Sequence, residues 1–163
     1  MHNIGPVEET SVVTRASLGD TFPIVTPISM TLLPARIWTR DQWRRIERGY
    51  RSRGMDEKWD VFVESGVAFL HRSWTGHGMF EASFARAGCG WRISAAVASR
   101  ERVRHVSEQL NRVLLELVLS AVVLGEPATD LRAELVRLTL TQDGPAPPDG
   151  VIEHTILGLR STR

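Results

Sequence analysis

The chain has 163 residues, 20 basic and 19 acidic, for a formal net charge of +1. That length supports one domain with a real core, and so small a charge argues against a general nucleic-acid coat, because phosphate binding draws on a clear positive excess. Cys89 is the only cysteine, which excludes an intrachain disulfide and a cysteine-rich zinc site and points to a reducing, cytoplasmic setting.

The first twenty residues carry Glu8, Glu9, Arg15 and Asp20 and lack the basic-then-apolar order of an export signal. They read as a loose arm over 1–22. Residues 22–34 are apolar and β-branched, but Pro23, Pro27 and Pro34 allow at most an edge strand. Thr39, with Gln42 three residues on, has the spacing of a capping box and starts a helix expected over 39–53. Trp43, Ile46 and Tyr50 recur on its inner face, while Arg40, Arg44, Arg45, Arg48 and Arg51 occupy the other. Gly54 is expected to end it.

Four alternating runs follow at 59–64, 67–74, 79–86 and 91–98, joined by Ser65-Gly66, by 75–78 and by 87–90. Neighbouring strands with short connections predict an antiparallel meander over 57–98. From about Arg102 to Leu124 the period becomes helical, and the stretch 113–124 is apolar almost all round. It contains Glu116 and Ser120 and is too short to span a bilayer, which needs about 20 apolar residues. Gly125 and Pro127 stop it, and a shorter amphipathic helix is expected over 130–140. Residues 143–150 read as a linker and 151–159 as a final strand or docking tail. The resulting fold class is α+β: a four-stranded antiparallel meander packed on a long apolar helix, with an N-terminal and a shorter C-terminal helix. So apolar a helix predicts a homodimer or larger assembly to cover it.

Turn lengths predict a register. A two-residue turn at Ser65-Gly66 sets Asp60 opposite His71, Phe62 opposite Phe69, and Trp59 opposite Arg72. A four-residue loop at 75–78 sets Arg72 opposite Glu81, Phe69 opposite Phe84 and Ser73 opposite Phe80. The last loop pairs Phe84 with Ile93, Ala82 with Ala95 and Phe80 with Val97. One face then holds Phe62, Phe69, Phe80, Ala82, Phe84 and Ile93 as the core face. The other holds Trp59, Val61, Leu70, Arg72 and Glu81, since a strand's side chains alternate.

Two constellations on this sheet invite chemistry. Arg72 between Trp59 and Glu81 could stack on the indole, bond the carboxylate and present its remaining donors to an anion. Asp60 beside His71 could orient a general base, and Ser73 lies two residues further on. The loop 74–78, with Gly76, Gly78, Thr75 and His77, offers backbone donors beside Trp74. No ligand pattern for a metal is present, and no cofactor is implied.

The segments M-D-E-K-W at 55–59 and H-R-S-W-T-G at 71–76, leading into Met79-Phe80, resemble a small bacterial family of no assigned activity. Some of its members resemble sequences labelled with ADP-ribose metabolism. The resemblance spans about 45 residues, from Gly54 to Ala98, and implies a motif and an ADP-ribose hint but no mechanism. Lys58, Trp59, Arg72, Ser73, Trp74, Thr75, Gly76, His77 and Glu81 then read as a binding site for an anionic, aromatic small ligand such as a nucleotide. Two other readings stay open: a hydrolytic enzyme using Asp60 and His71, and an interaction subunit that dimerises through its apolar helix and meets an acidic partner with its arginine face.

Overall fold

The structure is a computed structural model that describes residues 11–141. The expected linker at 143–150 and tail at 151–159 lie outside these residues. The described part is α+β, with a five-stranded antiparallel sheet in the order β1-β5-β4-β3-β2. The strands are β1 (Pro27–Ser29), β2 (Trp59–Glu64), β3 (Val67–Arg72), β4 (Gly78–Ala87) and β5 (Gly90–Ser99). The helices are α1 (Arg40–Glu47), α2 (Arg100–His105), α3 (Glu108–Leu117) and α4 (Thr129–Leu140).

This corrects the expected four-stranded meander on one long helix. The fifth strand is β1, which pairs with β5 through Ile28 and Ala98. Its prolines keep it to three residues at the sheet edge, with Pro27 in first position where no ladder bond is lost. The long helix is broken. Val106 is extended, and the Ser107 hydroxyl accepts the Leu110 amide at 3.2 Å to start α3 afresh. From Val118 to Val123 the coil widens into a π turn, closed by Leu124 N donating to Leu119 O at 3.1 Å.

The capping box forms as its spacing implies: Thr39 Oγ1 accepts the Gln42 amide at 3.2 Å and Gln42 Oε1 the Thr39 amide at 2.9 Å. The helix ends earlier than Gly54, because Gly49 takes a left-handed φ of 73° and turns the chain back. Tyr50 then exchanges two 2.8 Å backbone bonds with Val61 of β2. Trp43 and Ile46 are buried. Leu110, Val113, Leu114, Leu115 and every residue of 117–124 are likewise buried within the one chain. The surface that suggested a homodimer is therefore covered by the sheet, α1 and α4.

The register departs from expectation between β3 and β4 and again between β4 and β5. Asp60–His71, Phe62–Phe69 and Trp59–Arg72 pair as the turn at Ser65 and Gly66 requires, with both turn residues at positive φ. Between β3 and β4, however, His71 pairs with Gly78 and Leu70 with Phe80, so Met79 is an extra residue, a β-bulge. One extra residue exchanges the faces of everything beyond it. The connection also closes earlier than expected, with Arg72 N donating to His77 O at 2.9 Å, so that Phe69 lies opposite Glu81, not Phe84, and Trp59, Val61, Leu70, Phe80 and Ala82 form the helix-facing side. A second bulge beside Ser83 and Phe84 keeps Phe84–Ile93 in place but shifts the later pairs to Ala82–Ala96 and Phe80–Ala98.

The opposite face is covered by the chain's own early residues. Arg15, in the short 3-10 turn Arg15–Ser17, lies 4.8 and 5.1 Å above the rings of Phe62 and Phe69. It also makes a two-pronged bond to Glu64 at 3.0 and 3.1 Å. Leu18 is buried, so residues 11–22 are a packed strap rather than a loose arm.

Gly49 and Gly88 separate strain from clash. Both have positive φ, but a Cβ on Gly49 would run into the Val61 carbonyl oxygen, whereas one on Gly88 meets nothing within 4 Å. Gly88→Ala should cost about 1 kcal/mol. Gly49→Ala should cost roughly 3 kcal/mol, since backbone strain and overpacking add. Urea unfolding of the two variants measures this, and equal losses would refute the account of the α1 end.

Candidate functional site

Trp59 opens β2 and Arg72 closes β3, and the two meet as neighbours, with Arg72 Cζ 4.5 Å from the indole centre. The bulge turns this pair toward the helices. Trp59 is fully buried and its ring stacks 6.3 Å from Phe80. Glu81 sits on the far face, so the expected row of Trp59, Arg72 and Glu81 does not form. Burial lowers the pKa of Arg72. Arg102 of α2 joins the same side, 5.7 Å from the Phe80 ring, with Nε and Nη2 donating to Asn111 Oδ1 at 3.2 and 3.1 Å. Burial first, and then the Arg72 charge, bring Arg102 down to about 10.

The rest of the motif is a polar joint. Ser73 Oγ donates to the Glu57 carbonyl at 2.8 Å, and Ser73 N to the Lys58 carbonyl at 2.9 Å. The Glu57 carboxylate is buried and accepts the Tyr50 hydroxyl and the Arg53 amide. These bonds tie the end of α1 to the start of β2. The motif's polar character thus has a structural origin in buried groups that need partners.

The loop amides do not form an anion cradle. Gly76 N donates to Arg72 O and Gly78 N to Phe22 O, both at 2.8 Å, while His77 N donates to Thr75 Oγ1 at 3.3 Å. What remains open here is Trp74, 64% exposed, with Lys58 Nζ 5.6 Å from its ring. His77 is exposed and lies 5.4 Å from the Phe22 ring. Beyond it, Thr75, His77, Ser99, Arg100 and Arg104 line a cleft of about 560 Å³ at this end of the sheet.

Asp60 and His71 are cross-strand neighbours but are engaged elsewhere. Asp60 Oδ1 accepts the Ser52 amide at 2.8 Å. His71 is buried, its ring 5.3 Å from Phe62, and Nδ1 donates to the Gly76 carbonyl at 2.8 Å. A ring so fixed holds the loop closed, and neither residue lines the clefts described here.

At the opposite end of the sheet is a groove of about 470 Å³ that the sequence reading missed. Arg40, Arg44 and Glu47 of α1 form one wall, and Arg86, Cys89 and Trp91 of the β4–β5 hairpin form the other. Trp43 stacks on Trp91, centroids 5.1 Å apart at 24°, and on Phe84 at 4.4 Å. Trp91 is held by two 2.8 Å backbone bonds to Trp38, and Gly90 lacks a Cβ where one would strike Ile37 and the Trp38 carbonyl. The available signal was the helical spacing of 40, 44 and 47 set against 86, 89 and 91 around a tight turn.

No protein-family model, curated protein or solved structure matches this chain. Among the described residues, no group of three His, Cys, Asp or Glu side chains is arranged to hold a metal ion, and no helix is long and apolar enough to cross a membrane.

His71 makes stability depend on pH. Burial, the largest influence, lowers its pKa. The unfolded chain therefore takes up a proton before the folded one does. Stability from this group is full above about pH 6.5 and declines as the pH falls toward the lower folded value. Glu116 acts in the opposite sense, since burial raises its pKa and favours the folded state as acid is added. Urea unfolding between about pH 7.5 and 5.5 should show stability falling in the native chain. In His71→Gln the decline should vanish; an unchanged slope would show that another group carries it.

Proposed function

We propose that this chain is a binding module for an anionic ligand with a planar aromatic part, a nucleotide or an ADP-ribose-like molecule. Its site is the groove between α1 and the β4–β5 hairpin. The observation that carries the reading is the Trp43–Trp91 stack lying beneath Arg40, Arg44 and Arg86. A planar base needs an aromatic surface already held in place, and Trp91 is half-buried and fixed from behind by Trp43. A phosphate needs guanidinium forks, and those three arginines have no ion pair among the described residues.

Among the described residues Glu47 is the one carboxylate in the lining. It suits a ribose hydroxyl, for which a carboxylate is a strong acceptor. The expected ligand class thus moves from the Lys58–Trp74 end to the hairpin end, because Trp59 is buried there and the Gly76, His77 and Gly78 amides bond within the chain. It is a claim of binding, with no reaction assigned. A reducing, cytoplasmic setting belongs to the proposal, supported by the exposed free thiol of Cys89 beside the groove.

Calorimetry with AMP, ADP-ribose and ribose 5-phosphate tests the reading. AMP should bind about tenfold or more tighter than ribose 5-phosphate, since stacking of a base contributes roughly 1–3 kcal/mol. Arg44→Gln and Arg86→Gln change exposed side chains and should each weaken both AMP and ADP-ribose by about tenfold. Equal affinity for AMP and ribose 5-phosphate, or binding unchanged in both variants, would overturn it.

A further inference from the structure

On the other flank of α1 the chain builds a second basin of about 360 Å³. Among the described residues its lining includes Arg45, Arg48, Arg51 and Arg53, together with Ser11 and Ser17, and no carboxylate. The left-handed turn at Gly49 creates it. The helix delivers Arg45 and Arg48, the chain doubles back to pair Tyr50 with Val61, and Arg51 and Arg53 follow directly. The strap closes a further side, with Val13 N donating to Arg48 O at 2.8 Å.

The groups are held unequally. Arg45 Nη2 donates to the Leu124 carbonyl at 2.6 Å, and Arg53 lies 5.9 Å from the Tyr50 ring. Arg48 and Arg51 are exposed and have no ion pair among the described residues. Glu47, which precedes Arg48, lines the other groove, and Glu57 is buried and already bonded to the Tyr50 hydroxyl and the Arg53 amide.

A structural explanation covers part of this. Cations near a helix C-terminus are favourable, which accounts for Arg45 and Arg48. It does not account for Arg51 and Arg53, which lie past the turn, nor for four like charges around one concavity, which repel unless an anion lies between them. The volume is near the lower end for small-ligand sites, about 300–1,000 Å³. A ligand that answers four guanidiniums in so small a space carries several charges close together. Phosphates linked in a chain do this, whereas carboxylates on a peptide are spread over a longer backbone.

We propose that this basin binds a compact oligophosphate, either inorganic or the phosphate chain of a larger molecule. The site is separate from the groove and does not depend on the reading given for it. Arg45 and Arg53 form the rigid wall, and Arg48 and Arg51 close on the ligand.

The test is calorimetry with orthophosphate, pyrophosphate, tripolyphosphate, adenosine triphosphate and a hexaglutamate peptide. It uses the full chain, Arg48→Gln/Arg51→Gln, and Arg44→Gln as a groove control. Affinity should rise from orthophosphate to tripolyphosphate and weaken with added salt. The double variant should lose tripolyphosphate binding by about tenfold or more while binding AMP as the native chain does. Arg44→Gln should leave tripolyphosphate binding unchanged. Adenosine triphosphate binding more tightly than tripolyphosphate in the Arg44→Gln background would assign the basin to a larger molecule's chain, and equal binding to the inorganic chain. Tripolyphosphate no tighter than orthophosphate, hexaglutamate as tight as tripolyphosphate, or a double variant that binds normally would each overturn the proposal. Circular dichroism on Arg51→Lys and the double variant checks that both remain folded, and Arg51→Lys should retain more tripolyphosphate affinity than the double variant.

Discussion

Met79 has no partner across the β3–β4 ladder, and the rest of the sheet depends on that. Had β4 run without the extra residue, Phe80 and Ala82 would share a face with Phe62 and Phe69, leaving Trp59 and Leu70 outside. The bulge instead assembles Trp59, Val61, Leu70, Phe80 and Ala82 on one side, all fully buried, where α1, α3 and the π turn cover them. Burial of five such side chains is worth roughly 1.5–3 kcal/mol for each large one, far more than the ladder bond a bulge disrupts. Apolar burial therefore decides the register.

The same choice explains the polar groups. Arg72 goes inward with Trp59, and its charge is accommodated by lying on the indole at 4.5 Å, next in the chain to Ser73, which bonds the Glu57 carbonyl. Phe62 and Phe69 go outward together with rings 5.0 Å apart, and the strap covers them with Arg15. An arginine thus serves each face as an apolar stem with a charged head directed at available acceptors. The motif residues that looked like a ligand site largely spend their donors inside the chain.

Local chemistry was legible in the sequence and non-local chemistry was not. The Thr39–Gln42 capping box, the turn at Ser65-Gly66 and the pairs Asp60–His71 and Trp59–Arg72 follow from residues close together in the chain. The face of β4 could not be read, because a bulge at Met79 has no residue signature there and parity arguments amplify a slip of one residue into an exchange of faces. The break at Ser107 was available as an N-cap signal, but the continuous apolar stripe around it read as one helix. The groove and the basin needed tertiary information: each joins α1 to a segment that only the fold brings alongside.

The placement of the faces can be observed directly in solution. Proton NMR of the intact chain should show contacts between the Trp59 indole and the Phe80 ring, and between the side chains of Leu70 and Phe80, with Phe69 close to Glu81. Contacts from Leu70 to Met79 and from Phe69 to Phe80 as cross-strand neighbours would mean that the ladder runs without the extra residue, and would contradict the account.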